Sequence, residues 1–423
     1  MKKWNFKRVM LTVATVTAGL FLLAGCGGKK SSDSKGKITI QYWNHWTPDA
    51  AEAKFFNAKI KEYEKLHPNI RIKQTNVPMN DYVGSKLTTA FATGKGPDVF
   101  SASAGTISNF IESGTAANLN DIFSKSMRAD YNKSSLDAVT YKGKIIALPF
   151  EQDLVGLFYY KSALAEKNIT PPKTWDELIR DAKELTTSKR AGVTFDPVKG
   201  AYETFLLMPF VWQTGSDFFT KSGKPNVDSK GVISALSLFK KFVTDGSANM
   251  KPNPGAADIA NVGEGKTAFW IGGTFGIQGL EDKHNDKKVG VVPLPIPKGG
   301  KPASVGGGWR LVANSKSPHL KETKAFMKWL FLDKDGKHSI EYNTKAKFSY
   351  SPRKSVVAKA KSIYQKGLRA EFTNHVYGTE RPEETMTAKQ NDIIGDMIQN
   401  VLYKMSPKAA AKKAQAQLEA IEK

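Results

Sequence analysis

Trp43-Asn44-His45-Trp46 puts two indoles, an amide and an imidazole within four residues. Such a set suits a ligand with apolar C–H faces and a rim of hydroxyls. Flat rings cover the faces, and planar polar groups pair with the hydroxyls. Asn44, His45 and Trp46 are therefore site candidates, although tryptophans at a strand end can also be core. Glu151 and Asp153 stand two residues apart. A carboxylate accepts two hydroxyl hydrogen bonds, each stronger than a neutral one. The same pair can instead form a salt bridge that supports a chain crossing. Trp270 and Phe275 flank Gly272-Gly273, where missing side chains let a ligand approach the backbone. That makes Trp270, Gly273 and Phe275 candidates, with Trp212 beside them or in the core. In Gly306-Gly307-Gly308-Trp309-Arg310, Gly307 and Gly308 leave amides open. Trp309 supplies a stacking face there, and Arg310 a planar donor fork or a structural ion pair. Asp98, after a Gly-Pro turn, binds hydroxyls or is structural.

Other chemistries fit less well. Paired carboxylates also occur in glycoside hydrolysis, but that needs an acid and a base with separate environments across one bond. The six histidines, at 45, 67, 284, 319, 338 and 375, include no two at zinc-ligand spacing. No metal or other cofactor is expected. There is no Gly-x-Ser-x-Gly elbow. Residues 260–267 loosely match a phosphate loop, yet the preceding Pro252-Asn253-Pro254-Gly255 cannot be the buried strand which that loop requires. The segment reads as a turn into a strand.

The elements that must position these residues follow from periodicity. The chain has 423 residues, which suggests two or three units. Lys2, Lys3, Lys7 and Arg8 precede an apolar run, Val9 to Ala24, in the layout of a secretory leader over residues 1–25. Cys26, the one cysteine, stands directly after Ala24-Gly25. Residues 26–37, rich in Gly, Ser and Lys, read as a flexible tether. Residues 37–43 alternate as a first strand, 49–66 have helical spacing ended by His67-Pro68, and 70–73 alternate again. A helix over 82–91, a strand at 98–100 and a helix over 107–112 continue the pattern. Strands alternating with helices imply parallel sheets covered on both faces. Lys144 to Pro149 and Leu154 to Tyr160 read as strands interrupted by Glu151-Gln152-Asp153, a plausible crossing between two lobes. Thr174 with Glu177 forms a capping box for a helix over 175–185. Helices are also expected over 232–243, 320–332 and 407–423. Three prolines within 288–297 mark a second crossing.

The formal net charge is +23. Nucleic acid is not the expected partner, because the lysines are spread among Asp and Glu rather than gathered in an arginine-rich run. Attraction to an anionic cell envelope is the better use, and a merely soluble surface is also sufficient.

Leu23-Ala24-Gly25-Cys26 resembles the bacterial lipobox, in which Cys26 would be lipidated and hold the protein on a membrane. The rest, roughly 38 to 420, resembles the family 1 extracellular solute-binding proteins. That group includes maltodextrin-, trehalose- and raffinose-type binding lipoproteins. The resemblance rests on the order of several short pieces: Trp43 to Trp46; Tyr82 through Lys86-Leu87 to Gly94; Gly96-Pro97-Asp98-Val99; Tyr141-Lys142-Gly143-Lys144 with Ala147-Leu148-Pro149; Tyr159-Tyr160-Lys161; Thr174 to Leu178; Gly265 to Phe269; and Gly306 to Trp309 before Ala325-Phe326.

The resemblance implies an α/β fold of two lobes, periplasmic-binding-protein-like (type II). Each lobe is a mostly parallel sheet flanked by helices, with ligand between the lobes and three crossings near 149–153, 290–294 and 338–345. The third crossing comes from the resemblance alone. The N-lobe would be 38–150 plus 292–338, and the C-lobe 151–291 plus 339–423. The family's loop after the third strand faces the cleft, which adds Ser103. The expected function is capture of a sugar, a di- or oligosaccharide, for the membrane permease subunits of an ABC-type importer, by a monomer that is not an enzyme. A non-sugar solute such as glycerol phosphate, or an exported glycoside-processing activity, are the alternatives.

Overall fold

The protein's structure is a computed structural model that describes residues 36–421. The expected leader, Cys26 and most of the tether lie outside the described residues. Among those described, no helix is long and apolar enough to cross a membrane.

Two sheets organise residues 38–421. In the first, strands Ile70–Asn76, Ile38–Asn44 and Val99–Ser103 run parallel. Trp309–Ala313 then joins antiparallel to Val99–Ser103 and is flanked by Leu148–Pro149. Alternation in Ile38–Asn44 buries Ile40, Tyr42 and Asn44 on one face. Helix Ala51–Leu66 lays Phe55, Phe56, Ile60 and Tyr63 on that sheet, and helix Leu320–Phe331 adds Phe326, Leu330 and Phe331. This is the N-lobe.

The C-lobe sheet has the order Val289–Val292, Val155–Tyr160, Thr267–Gly273, Ala191–Thr194. It is mixed rather than mostly parallel, because Val155–Tyr160 runs antiparallel to both of its neighbours. Helix Trp175–Glu184 starts at the expected capping box, with the Glu177 amide donating to Thr174 Oγ1 at 3.2 Å. Helix Ala201–Gln213 carries apolar side chains around its circumference and is buried from Glu203 to Gln213, as such a helix must be. The terminal helix Pro407–Ile421 packs Ala410, Ala411, Ala414 and Leu418 against this lobe's core.

The crossings need correction. Residues 292–306 do not belong to the N-lobe. Leu294 and Val305 lie in the C-lobe core, and the amide of Trp175 donates to Ile296 O. The chain returns to the N-lobe only at Gly307-Gly308, just before Trp309. The third crossing also lies further on than 338–345. Tyr342 and Ala346 remain in the N-lobe core, whereas Phe348 and Tyr350 lie in the C-lobe. Lys347 is the crossing itself. The proline run at 293–297 breaks a strand but leaves the chain on the same lobe.

Candidate functional site

The three crossings are sewn together at one point. Gln152 and Tyr350 exchange backbone hydrogen bonds of 2.6 and 2.9 Å, and Asp153 and Gly307 exchange bonds of 3.3 and 3.0 Å. Lys347 Nζ donates to Glu151 Oε1 at 2.8 Å and to Asp153 Oδ2 at 2.7 Å. Glu151 also accepts from the Trp309 amide and the Tyr342 hydroxyl, both in the N-lobe. Asp153 accepts from Thr274 Oγ1, in the C-lobe. Burial alone would lower the Lys347 ammonium, but the two carboxylates outweigh it and hold the group above its ordinary value. Burial raises the Asp153 carboxyl to about 6, against the pull of Lys347. Glu151 and Asp153 are thus hinge groups with their oxygens occupied, not free ligand acceptors.

Gly307 and Gly308 serve the same hinge. The Gly307 amide is not open, since it donates to Asp153 O. A side chain at Gly307 would strike the Phe205 ring, and one at Gly308, where φ is +112°, would meet Glu151. Arg310 is 6% exposed and donates to Gly308 O at 3.0 Å, with Glu383 and Glu151 as its nearby charges. It is an internal residue that braces the crossing through the Gly308 carbonyl.

The N-lobe wall of the cleft is built at the ends of its parallel strands, where such sites form. Asn44 closes the first strand. Its Oδ1 accepts from the Trp46 amide and from Asn76 Nδ2, which leaves Nδ2 buried and without a partner. His45 lies next, with Nδ1 also unpartnered. Its ring stacks on Trp309 and tilts against Trp46. Burial, helped by Lys347, holds its pKa well below the ordinary value, so the imidazole is neutral. Trp309 is half-buried and pairs across the sheet with Ser103. Ser103 is half-buried and caps helix Ala104–Glu112 through a box with Thr106. Trp46 stacks instead on Phe56, inside the lobe core. Asp98 sits at the opposite end of its strand and accepts from the Gln41 amide at 2.7 Å and from Ser317 Oγ at 2.5 Å. Asp98 is structural and far from the cleft end.

The C-lobe wall is not the expected one. Trp270 is 0% exposed and its indole donates to Ala256 O at 2.7 Å, so it is a core residue. Gly273 is bare because a side chain would meet the Phe275 ring and Leu154 O. Trp212 is buried with its face covered by the Arg381 guanidinium, 4.6 Å from the ring centroid, and its indole donates to Glu384. Phe275 alone of this set is half-buried at the cleft end of its strand. Beside it stand Tyr202 and Phe205, from the start of helix Ala201–Gln213, with ring centroids of Tyr202 and Phe275 6.0 Å apart. The Tyr202 hydroxyl has no partner, and burial first, then the charges of Asp196 and Asp153, hold it well above its ordinary pKa. Sequence reading missed Tyr202, Phe205 and Lys347. The first two sit in a uniformly apolar helix where no face stands out, and Lys347 is one lysine among many.

Rings from both lobes stand near the Gly307–Trp309 crossing: His45 and Trp309 on one, Tyr202, Phe205 and Phe275 on the other. Three unpartnered polar atoms, Asn44 Nδ2, His45 Nδ1 and Tyr202 Oη, accompany them. Such a set can sandwich a polyhydroxylated ring and hydrogen-bond its rim. It holds no nucleophile–base pair. Among the described residues no cluster of His, Cys, Asp and Glu suits a metal.

Residues 47–337 match the family described as bacterial extracellular solute-binding protein. The multiple sugar-binding protein of Streptococcus mutans is 25% identical over 341 residues, covering 78% of this chain and 79% of that protein. The arabinooligosaccharide-binding protein of Bacillus subtilis is 26% identical over 325 residues, 72% of each chain. Among solved structures, maltose-bound T. maritima MalE3 superposes with a TM-score of 0.79 at 20% identity, over 90% of this chain and 99% of that one. That likeness shows the two-lobed fold.

Proposed function

Given that the chain belongs to the bacterial extracellular solute-binding protein family, which makes it a binding protein and not an enzyme, we propose that it captures a neutral di- or oligosaccharide in the interlobe cleft. Delivery to the membrane permease subunits of an ABC importer completes the reading. The observation that carries it is the pairing of rings from both lobes with the unpartnered Asn44 Nδ2, His45 Nδ1 and Tyr202 Oη. Each of these groups is costly to bury alone and is satisfied by a hydroxyl. Two relatives have sugar ligands in their names, which supports the same class.

A phosphate-bearing solute is the weaker reading. The cations at the cleft, Lys347 and Arg310, face Glu151, Asp153 and Glu383 already. A phosphate would have to compete for them.

The test is a thermal-shift screen against mono-, di- and trisaccharides with glycerol 3-phosphate as comparison. Ligand that binds the native state raises Tm by mass action. A shift with glycerol phosphate and none with any saccharide would reject the sugar reading.

Export and anchoring belong to the same proposal. Cys26 is the acylated residue, the tether lets the lobes stand off the membrane, and the receptor works as a monomer. Radiolabelled palmitate should be incorporated by the wild type and lost in Cys26→Ser. Equal incorporation in both would remove the anchor.

A further inference from the structure

Gly105 is the second residue of helix Ala104–Glu112, on the N-lobe. Its backbone is not in the left-handed region, so nothing in its own conformation requires glycine. Glycine inside a helix costs about 0.5–1 kcal/mol relative to alanine. The reason for it lies on the other lobe. A Cβ at Gly105 would come within 2.8 Å of the Ala201 Cβ, at the start of the C-lobe helix Ala201–Gln213.

Two C-lobe side chains meet the same turn. Asn391 Nδ2 donates to Gly105 O and to Met386 O, at 3.2 Å each, so one amide holds a carbonyl from either lobe. Glu383, 6% exposed, brings its Oε1 to 3.7 Å from where a Gly105 Cβ would stand, and the Arg310 guanidinium is a nearby charge. Its carboxylate therefore sits between a helix amino end and a cation, both N-lobe features. The capping box of Ser103 and Thr106 fixes where that turn points.

We propose that this contact, the bare face of Gly105 against Ala201 with Asn391 on its carbonyl and Glu383 alongside, is a closing latch that holds the two lobes together without ligand and slows ligand escape. It rests on the proposed receptor role for its consequence, but not for its existence. The latch makes closed, unliganded protein a populated state, and ligand then binds with less left to order.

Gly105→Ala is the direct test. Alanine is the better helix former, so the N-lobe should lose no stability. The added methyl should wedge the lobes apart. Small-angle X-ray scattering of the unliganded protein should show a larger radius of gyration for Gly105→Ala than for the wild type. Gly105→Ala combined with Ala201→Gly, which removes the opposing methyl, should return it. Glu383→Gln should give the same opening by a separate route. In stopped-flow release of whichever saccharide the screen identifies, Gly105→Ala should dissociate about tenfold faster. Identical scattering of wild type and Gly105→Ala overturns the latch, as does failure of Ala201→Gly to reverse the change. Opening and reversal in a protein that binds no saccharide uphold the latch and reject the sugar reading instead.

Discussion

The imidazole of His45 lies nearly parallel to the indole of Trp309, with ring centroids 3.6 Å apart and planes at 20°. One residue comes from the end of the first strand and the other from a strand more than two hundred residues later. The stack covers one indole face and leaves Trp309 half-buried. Trp309→Ala should weaken saccharide binding by an order of magnitude or more, because stacking on a flat face contributes about 0.5–1.5 kcal/mol beyond area burial, and the buried area is lost with it. Calorimetric titration checks this. Trp270→Ala should do the reverse: lower the unfolding free energy by about 3–5 kcal/mol, as for other buried tryptophans, before any effect specific to ligand. Equal losses of stability in both variants would contradict the distinction.

The hinge makes a second prediction. Lys347→Met leaves Glu151 and Asp153 facing each other with no cation bonded to either. Removing one partner of a buried ion pair costs about 3–5 kcal/mol. Urea denaturation should show that loss. Lys347→Met with Glu151→Gln and Asp153→Asn should recover much of it, since no charge is then left uncompensated. No recovery would mean that Lys347 acts through packing alone.

Tyr202→Phe separates binding from folding. The hydroxyl has no partner in the structure and burial keeps its pKa well above the ordinary value. Its removal should leave stability unchanged or raise it slightly, while affinity for the saccharide falls several-fold. Loss of a hydrogen bond to a neutral group is worth about 0.5–1.5 kcal/mol, which sets that range. A fall in Tm with affinity intact would place the hydroxyl in the fold instead.

The pH dependence of stability follows from carboxyls inside the C-lobe. Burial raises Glu203 to about 9, against the bond from Gln399 Nε2, and burial raises Asp196 beside it to about 6. Both native values exceed the unfolded ones, so the native state holds protons that the unfolded chain releases. Stability must then fall as pH rises from about 4.5, through the Asp196 and finally the Glu203 range. Glu203→Gln keeps the neutral form at every pH. Its melting curve should be flatter between pH 5 and 9, with the gain over the wild type largest at the alkaline end. A profile that runs parallel to the wild type would show that Glu203 does not titrate in this window.

Local patterns were legible in the chain. Alternation in Ile38–Asn44, helical spacing in Ala51–Leu66 and the Thr174–Glu177 box are short-range features, set by neighbours within a few residues, and the structure shows each of them. The joining of His45, Trp309 and Phe275 as rings at strand ends was also within reach, because strand ends point into a cleft. What only the tertiary structure decided is which polar and aromatic groups remain free. Trp270 and Trp43 carry the same side chain, yet burial is settled by what packs above them. Glu151 and Asp153 look like ligand acceptors until Lys347, nearly two hundred residues on, occupies them. Gly307 looks like an opening until Phe205 is seen to fill the space. A residue type determines which interactions a group can make. Which of those it has left to offer a ligand depends on distant segments brought together by folding.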